Sequence, residues 1–159
     1  MENTSLNEQG AALVPESRDY SLYSTYFVTL CLQDKSLLFG EVVKGKMQLS
    51  EIGSYAKRYW EEIAVRNPHI TLDAFVVMPN HIHGIILINK KGNQKEIMST
   101  IVGSYKAVVE KSAKVVLRKF AWQSKIHAQL IKDKNSHNNI ADYIVSNPSK
   151  WRQDKFYKS

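Results

Sequence analysis

Residues 76–85 read Val-Val-Met-Pro-Asn-His-Ile-His-Gly-Ile, and two histidines one residue apart are well spaced for metal chemistry. In a strand, positions i and i+2 face the same way, so His81 and His83 project together while Ile82 turns into the core. Two imidazoles on one rigid face can share a divalent metal. The same spacing also fits two ordinary histidines on a solvated strand face, and two imidazoles complete no common metal site, so a third ligand has to come from elsewhere. The stretch Ile-Ala-Asp-Tyr-Ile-Val-Ser-Asn-Pro (140–148) offers one. Tyr143 and Asn147 are four apart and share a helix face, with Ile140 on the same stripe. Pro148 disfavours helical geometry at Asn147 and places that side chain at the helix end. An Asn carbonyl oxygen is a hard ligand suited to Mg²⁺ or Mn²⁺, and a tyrosine one turn earlier can hang over the same ion. Taken singly, Tyr143 also reads as core packing and Asn147 as a helix stop.

The elements that position these residues follow from periodicity. Residues 25–33 are rich in β-branched and aromatic types and read as a strand, and 36–50 as a hairpin turning at Lys44-Gly45. Residues 50–68 have helical spacing of Ile52, Tyr55, Ala56, Tyr59, Trp60 and Ile63, with Ser50 as cap and Pro68 beyond the end. Residues 70–78 and 81–89 read as strands, antiparallel because only Pro79-Asn80 joins them. A polar loop (89–96) precedes a long basic helix (96–119). A short strand is expected within 121–131, a loop at 132–137 and a final helix at 139–148. Strands paired through tight turns, with helices between, predict an α+β, ferredoxin-like sandwich: an antiparallel sheet with helices on one face and a C-terminal helix carrying the tyrosine. Residues 1–20 read as a flexible arm and 21–159 as a single domain.

Composition narrows the class. Cys31 is the only cysteine, which excludes an intrachain disulfide or a cysteine-based zinc site. No apolar run approaches the roughly 18 residues that cross a bilayer, and the polar start, with Glu2 and Glu8, is unlike a secretion signal. The expected location is the cytoplasm, in association with the nucleoid. Net charge is +7, unevenly spread: residues 1–89 hold 7 basic and 10 acidic residues, whereas 90–159 hold 15 and 5. Such asymmetry suits a polyanion such as nucleic acid, or simply a solvated basic surface. Lys106, Lys111, Lys114, Arg118 and Lys119 make the long helix and its end cationic, and such contacts position phosphates without reading bases. Trp122 suits either stacking on an unpaired base or core packing.

Together the segments Tyr-Phe-Val-Thr-Leu-Cys-Leu-Gln-Asp-Lys-Ser-Leu-Leu-Phe-Gly-Glu (26–41), Phe-Val-Val-Met-Pro-Asn-His-Ile-His-Gly-Ile-Ile-Leu-Ile (75–88), Ile-Val-Gly-Ser-Tyr-Lys-Ala-Val-Val (101–109), Trp122-Gln123 and Ile-Ala-Asp-Tyr-Ile-Val-Ser-Asn-Pro-Ser-Lys-Trp (140–151) resemble the HUH single-tyrosine transposases, IS200-like, in the REP-associated group. The resemblance covers roughly residues 20–157. It implies a ferredoxin-like fold, His81 and His83 as the metal pair, Asn147 as the third ligand, Tyr143 as nucleophile, Mg²⁺ or Mn²⁺ as cofactor and single-stranded or hairpin DNA as partner. The implied reaction is transesterification through a 5′-phosphotyrosine link. Members include monomers and dimers that swap the tyrosine helix, so a homodimer is admitted, and the polar Lys132–His137 connection allows either. One departure stands out: where relatives carry an acidic residue after an aromatic pair, this chain has Ala128. Two rival readings follow, a nucleic-acid-binding domain weakened in catalysis and a metal-dependent nuclease that uses water. His127, near the site in sequence, is a candidate proton acceptor.

Overall fold

The computed structural model describes residues 18–20 and 23–159. Residues 1–17, most of the expected arm, lie outside the described residues. Arg18, counted with that arm, is tied to the body: its guanidinium donates to Thr25 Oγ1 at 2.8 Å, Asn89 Oδ1 at 2.7 Å and the Ser24 carbonyl at 3.0 Å.

Strands β1 (Thr25–Cys31), β4 (Ile70–Met78), β5 (His81–Ile88) and β6 (His127–Ile131) form one antiparallel sheet in the order β4-β5-β1-β6, and β2 (Gly40–Val43) and β3 (Lys46–Leu49) make a separate hairpin. Helices α1 (Glu51–Arg66) and α2 (Gln94–Val116) follow β3 and β5, and α3 (Lys134–Ser146) follows β6. With the hairpin set aside, this is the ferredoxin-like order expected from the sequence. Ser50 caps α1 by accepting from the Gly53 amide at 3.0 Å, and Asn93 caps α2 by accepting from the Glu96 amide at 3.1 Å.

Alternation along the central strand β5 divides the protein into two layers. Ile82, Ile86 and Ile88 face α1 and α2, where Trp60, Tyr105, Val102 and Val109 complete the larger core. His81, His83, Ile85 and Leu87 face the other way, and Ile144 of α3 and Ile131 close over the last two. A bulge between Leu72 and Phe75 puts both Asp73 and Ala74 on the α3 side, while Phe75 returns to stack on Trp60 at 4.9 Å with the ring planes 7° apart.

Three boundaries differ from the sequence reading. The strand expected within 121–131 pairs regularly only from His127, with one isolated bridge at Leu32–Trp122. The Lys132–His137 loop is mostly helix: α3 starts at Lys134 because the Asp133 side chain accepts from the Ser136 amide at 2.7 Å. Asn147 keeps helical geometry (φ −57°, ψ −44°) despite the proline that follows, and the chain runs straight into a 3-10 segment, Pro148–Gln153, with Pro148 at its first position.

Gly84 makes this layering testable. A Cβ there would sit 2.2 Å from Trp60 Cζ2, in a core where Trp60 is pinned between Phe75 and Tyr105. Gly84→Ala is expected to cost about 1–3 kcal/mol through overpacking, read as a lower urea midpoint at unchanged slope.

Candidate metal and nucleophile site

His81 and His83 are buried, and each is oriented through its Nδ1. Asn80 Oδ1 lies 2.8 Å from His81 Nδ1, and the same amide donates through Nδ2 to the Phe156 carbonyl at 2.8 Å. Those bonds fix the amide's orientation. An amide oxygen can only accept, so His81 carries its proton on Nδ1 and presents a bare lone pair on Nε2. Antiparallel register places Thr29 of β1 opposite His83, and its hydroxyl meets His83 Nδ1 at 2.8 Å. The ring of His83 also stacks on Phe27 at 5.2 Å.

Burial drives both imidazoles to about 3, far below the ordinary histidine value. The neighbouring Asn147 amide opposes this at His81, and His81 itself reinforces it at His83. Both rings are therefore neutral at neutral pH, the state in which imidazole is a ligand.

Helix α3 carries the other residues in. Its first turn is clamped by His137, whose Nε2 lies 2.8 Å from Asp73 Oδ2 and whose Nδ1 lies 2.8 Å from the Tyr20 hydroxyl. Ile144 buries the apolar face on β5. Tyr143 and Asn147 then point to the same end of the sheet. Tyr143 is 42% exposed, with its ring 5.5 Å from His83 and 6.3 Å from Phe27. Burial raises the Tyr143 phenol, the Asp154 charge raises it further, and Asn147 pulls the other way. Only Lys132 and Asp133 separate β6 from α3, and in this single chain the Tyr143 ring stands beside His83.

His81 Nε2, His83 Nε2 and Asn147 Oδ1 are buried and have no hydrogen-bond partner among the described residues. Orphaned buried polar atoms are uncommon and costly, and here three donors of lone pairs gather at one place. That donor set fits a divalent cation. Sequence reasoning missed a fourth such atom, Asp154 Oδ2, which lies 3.8 Å from His81 Nε2 and within 4.8 Å of the histidine ligand atoms. The available signal was Trp151 and Phe156: large aromatic residues beyond a helix stop mark a packed tail, and Trp151 is buried while the Phe156 ring lies 4.5 Å from that of His81.

The residues expected to meet DNA are not gathered here. α2 packs against α1 and β5 on the opposite side of the sheet. Lys106 donates to the Gln123 carbonyl at 2.8 Å, and Lys114 pairs with Glu110 at 3.5 Å. Trp122 is half-buried among Phe39, Tyr105 and Phe120 and donates its indole N–H to the Lys106 carbonyl at 3.1 Å. Lys111, Arg118 and Lys119 belong to α2 and the turn after it. Beside the histidines lies instead a cleft of about 580 Å³ lined by Phe27, Thr29, Phe156 and three other cations, Lys35, Lys125 and Lys155. His127 lies opposite Thr29 in register and lines the same cleft. Ala128, the position that departs from the family pattern, pairs with Val28 of the helix-side core, yet it is exposed and lines the same cleft.

Comparison with known proteins gives the fold and the family. The family model described as "Transposase IS200 like" matches residues 40–147. An uncharacterised protein of Haemophilus influenzae is 35% identical, covering 87% of this chain and 88% of the relative. The solved structure of a REP-associated tyrosine transposase bound to a REP hairpin is similar in fold, with a TM-score of 0.62 and 21% identity over 87% of this chain and 74% of that one. A protein from Deinococcus radiodurans of known crystal structure gives 0.52 and 14% over 83% and 96%. With the family model spanning most of its length and a relative at that identity over nearly all of it, the chain belongs to the IS200-like transposases.

Proposed function

We propose that this chain cleaves and rejoins single-stranded DNA with Tyr143 as nucleophile, next to a divalent ion held by His81, His83 and Asn147. The observation that carries the reading is the convergence of three partnerless buried ligand atoms beside a half-exposed phenol on one face of the sheet. Mg²⁺ or Mn²⁺ suits a set of two imidazoles and an amide oxygen, with the imidazoles tilting the preference toward Mn²⁺. When bound, such an ion polarises the non-bridging oxygens of a phosphate and orients the scissile bond.

The chain's own residues supply the rest. Tyr143 Oη attacks the phosphorus and loses its proton, and the 3′ oxygen leaves as a free hydroxyl. The 5′-phosphate is then held as a tyrosyl ester, so the phosphodiester's energy is kept and a second 3′-hydroxyl can reverse the step and join new ends. Thr29 and Asn80 hold the two rings in place, and α3, clamped through His137, holds Tyr143. The raised phenol is a weak nucleophile by itself, which is why the reading needs a cation beside it. In this reading Lys35, Lys125 and Lys155 meet the phosphates nearest the reacting one, and Lys111, Lys114, Arg118 and Lys119 meet only DNA that extends behind the sheet. A hairpin with a single-stranded flank is the partner this proposal adopts, supported by the REP hairpin bound to the similar transposase. The reading places the protein with the nucleoid in the cytoplasm; no described helix is long and apolar enough to cross a membrane.

A labelled single-stranded hairpin substrate incubated with Mn²⁺ should leave label covalently attached to the protein on a denaturing gel. Tyr143→Phe should abolish that adduct, a loss of about 10³-fold or more. Free cleaved DNA that persists in Tyr143→Phe would establish water as nucleophile instead, and binding without cleavage would establish a catalytically inactive module. Salt dependence separates the two groups of cations. Lys125→Ala and Lys155→Ala should each flatten the slope of log K against log salt by about 0.7 on short single strands, with Lys111→Ala leaving it unchanged.

The buried imidazoles also predict a pH response in the metal-free protein. The folded chain keeps both rings neutral down to about 3, whereas the unfolded chain takes up protons near 6.5. Their contribution to stability is thus complete above about 6.5 and lost as pH falls from there, by about 2 kcal/mol per histidine at pH 5. Denaturant titrations in EDTA should show that decline, and His81→Ala or His83→Ala should flatten it.

A further inference from the structure

Beyond the three ligands named above, the 3-10 segment that closes the fold delivers a carboxylate to the same place. Asp154 ends that segment, its amide donating to the Trp151 carbonyl at 3.0 Å. Its two oxygens are used differently. Oδ1 accepts from the Phe156 amide at 2.8 Å and shapes the turn. Oδ2 is buried, has no hydrogen-bond partner among the described residues, and faces His81 Nε2 at 3.8 Å. The whole Asp154 side chain is as buried as that of His81.

Because Asn80 holds the His81 proton on Nδ1, the two atoms that face each other across this gap are both lone-pair donors. Two acceptors directed at one another repel unless something positive lies between them. A separation of 3.8 Å is too long for a hydrogen bond. It matches two ligands on one ion: metal–ligand bonds of about 2.1 Å place neighbouring ligands about 3 Å apart and opposite ones about 4.2 Å apart. His83 offers a ring nitrogen to the same group, one ligand atom from each of the three residues lying within 4.8 Å of the others. Two neutral imidazoles and an amide carry no charge, so the carboxylate would be the only ligand to offset the ion's charge.

We propose that Asp154 is a fourth metal ligand through Oδ2, and that bound metal thereby fastens the C-terminal turn, Trp151–Tyr157, onto the sheet. This rests on the reading of His81, His83 and Asn147 as a metal cage. The competing account makes Asp154 a turn-former only, acting through Oδ1.

Calorimetric titration of the full chain with Mn²⁺, paired with hydrogen exchange over residues 151–157, separates the two. Asp154→Asn keeps an Oδ1 acceptor for the Phe156 amide and removes the charge, and Asp154→Ser is a second variant that can still accept from that amide. The expected result is one Mn²⁺ per wild-type chain, an affinity at least about tenfold weaker in either variant, and Mn²⁺-induced slowing of exchange at 151–157 in wild type alone. Asp154 variants that bind Mn²⁺ within about twofold of wild type, while His81→Ala and Asn147→Ala fail to bind, would overturn this assignment and leave the three-ligand cage standing. A wild-type chain that takes no Mn²⁺, or a His81→Ala chain that binds as wild type does, would overturn the cage and this assignment together.

Discussion

Two imidazoles occupy the central strand of the sheet where both faces are covered, and the rest of the site answers to that. A histidine so placed is forced neutral, and each of its nitrogens has to be satisfied or to be costly, on the order of 1–3 kcal/mol apiece. Thr29 and Asn80 take up one nitrogen of each ring. The other two are left aimed at the end of α3 and the turn beyond it, where an amide oxygen and a carboxylate oxygen are likewise without partners. In a protein whose whole stability is about 5–15 kcal/mol, four such atoms in one spot are a substantial concession. It makes sense if the fold is arranged around a cation that repays all four at once.

That constraint explains how α3 is held. A helix carrying the proposed nucleophile has to stand at a fixed distance from the histidines, and apolar packing through Ile144 alone would let it slide along the sheet. The Asp73–His137–Tyr20 chain of hydrogen bonds stops that motion. It is available because the bulge in β4 turns Asp73 toward α3 without disturbing the Phe75–Trp60 stack two residues on. The two-residue join from β6 limits the same motion along the chain. A polar stretch that reads as a loop is thus the part of the helix that fixes its position.

The division between what could be read in the sequence and what could not follows from what periodicity records. The strands around His81 and His83, α1 with its Ser50 cap and the ferredoxin-like order were legible because apolar residues recur at two or at three and four. The start of α3 was not. Its first turn, Lys134–His137, has no apolar stripe and is held by a cap and a buried histidine. Pro148 was read as a stop, yet Asn147 stays helical and the 3-10 segment carries the chain round to Asp154. No spacing rule reaches a residue six positions past a proline, and only the aromatic pair Trp151 and Phe156 hinted that the tail packs. The role of Thr29 was hidden for another reason: it depends on register, which pairs residues distant in sequence, and Asn80, although next to His81, is oriented by its bond to the distant Phe156 carbonyl.

Charge shows most clearly why a sum along the chain is a poor guide to a field in space. The basic run of residues 90–134 suggested that α2 carries the nucleic-acid contacts, but alternation in β5 sends α2 to one side of the sheet and the histidines to the other. The cations that line the cleft beside the imidazoles are Lys35, Lys125 and Lys155, which come from three separate segments and form no run in the sequence. A screened interaction fades within roughly 10 Å at ordinary ionic strength, so these three, rather than the denser row behind the sheet, set the potential inside that cleft. Parity puts Ala128 on the strand face opposite the imidazoles, yet as an exposed residue of the edge strand it still lines the cleft, so the departure there bears on the cleft more than on the donor atoms. Which face a residue occupies, more than which residue it is, decides whether it takes part in the chemistry.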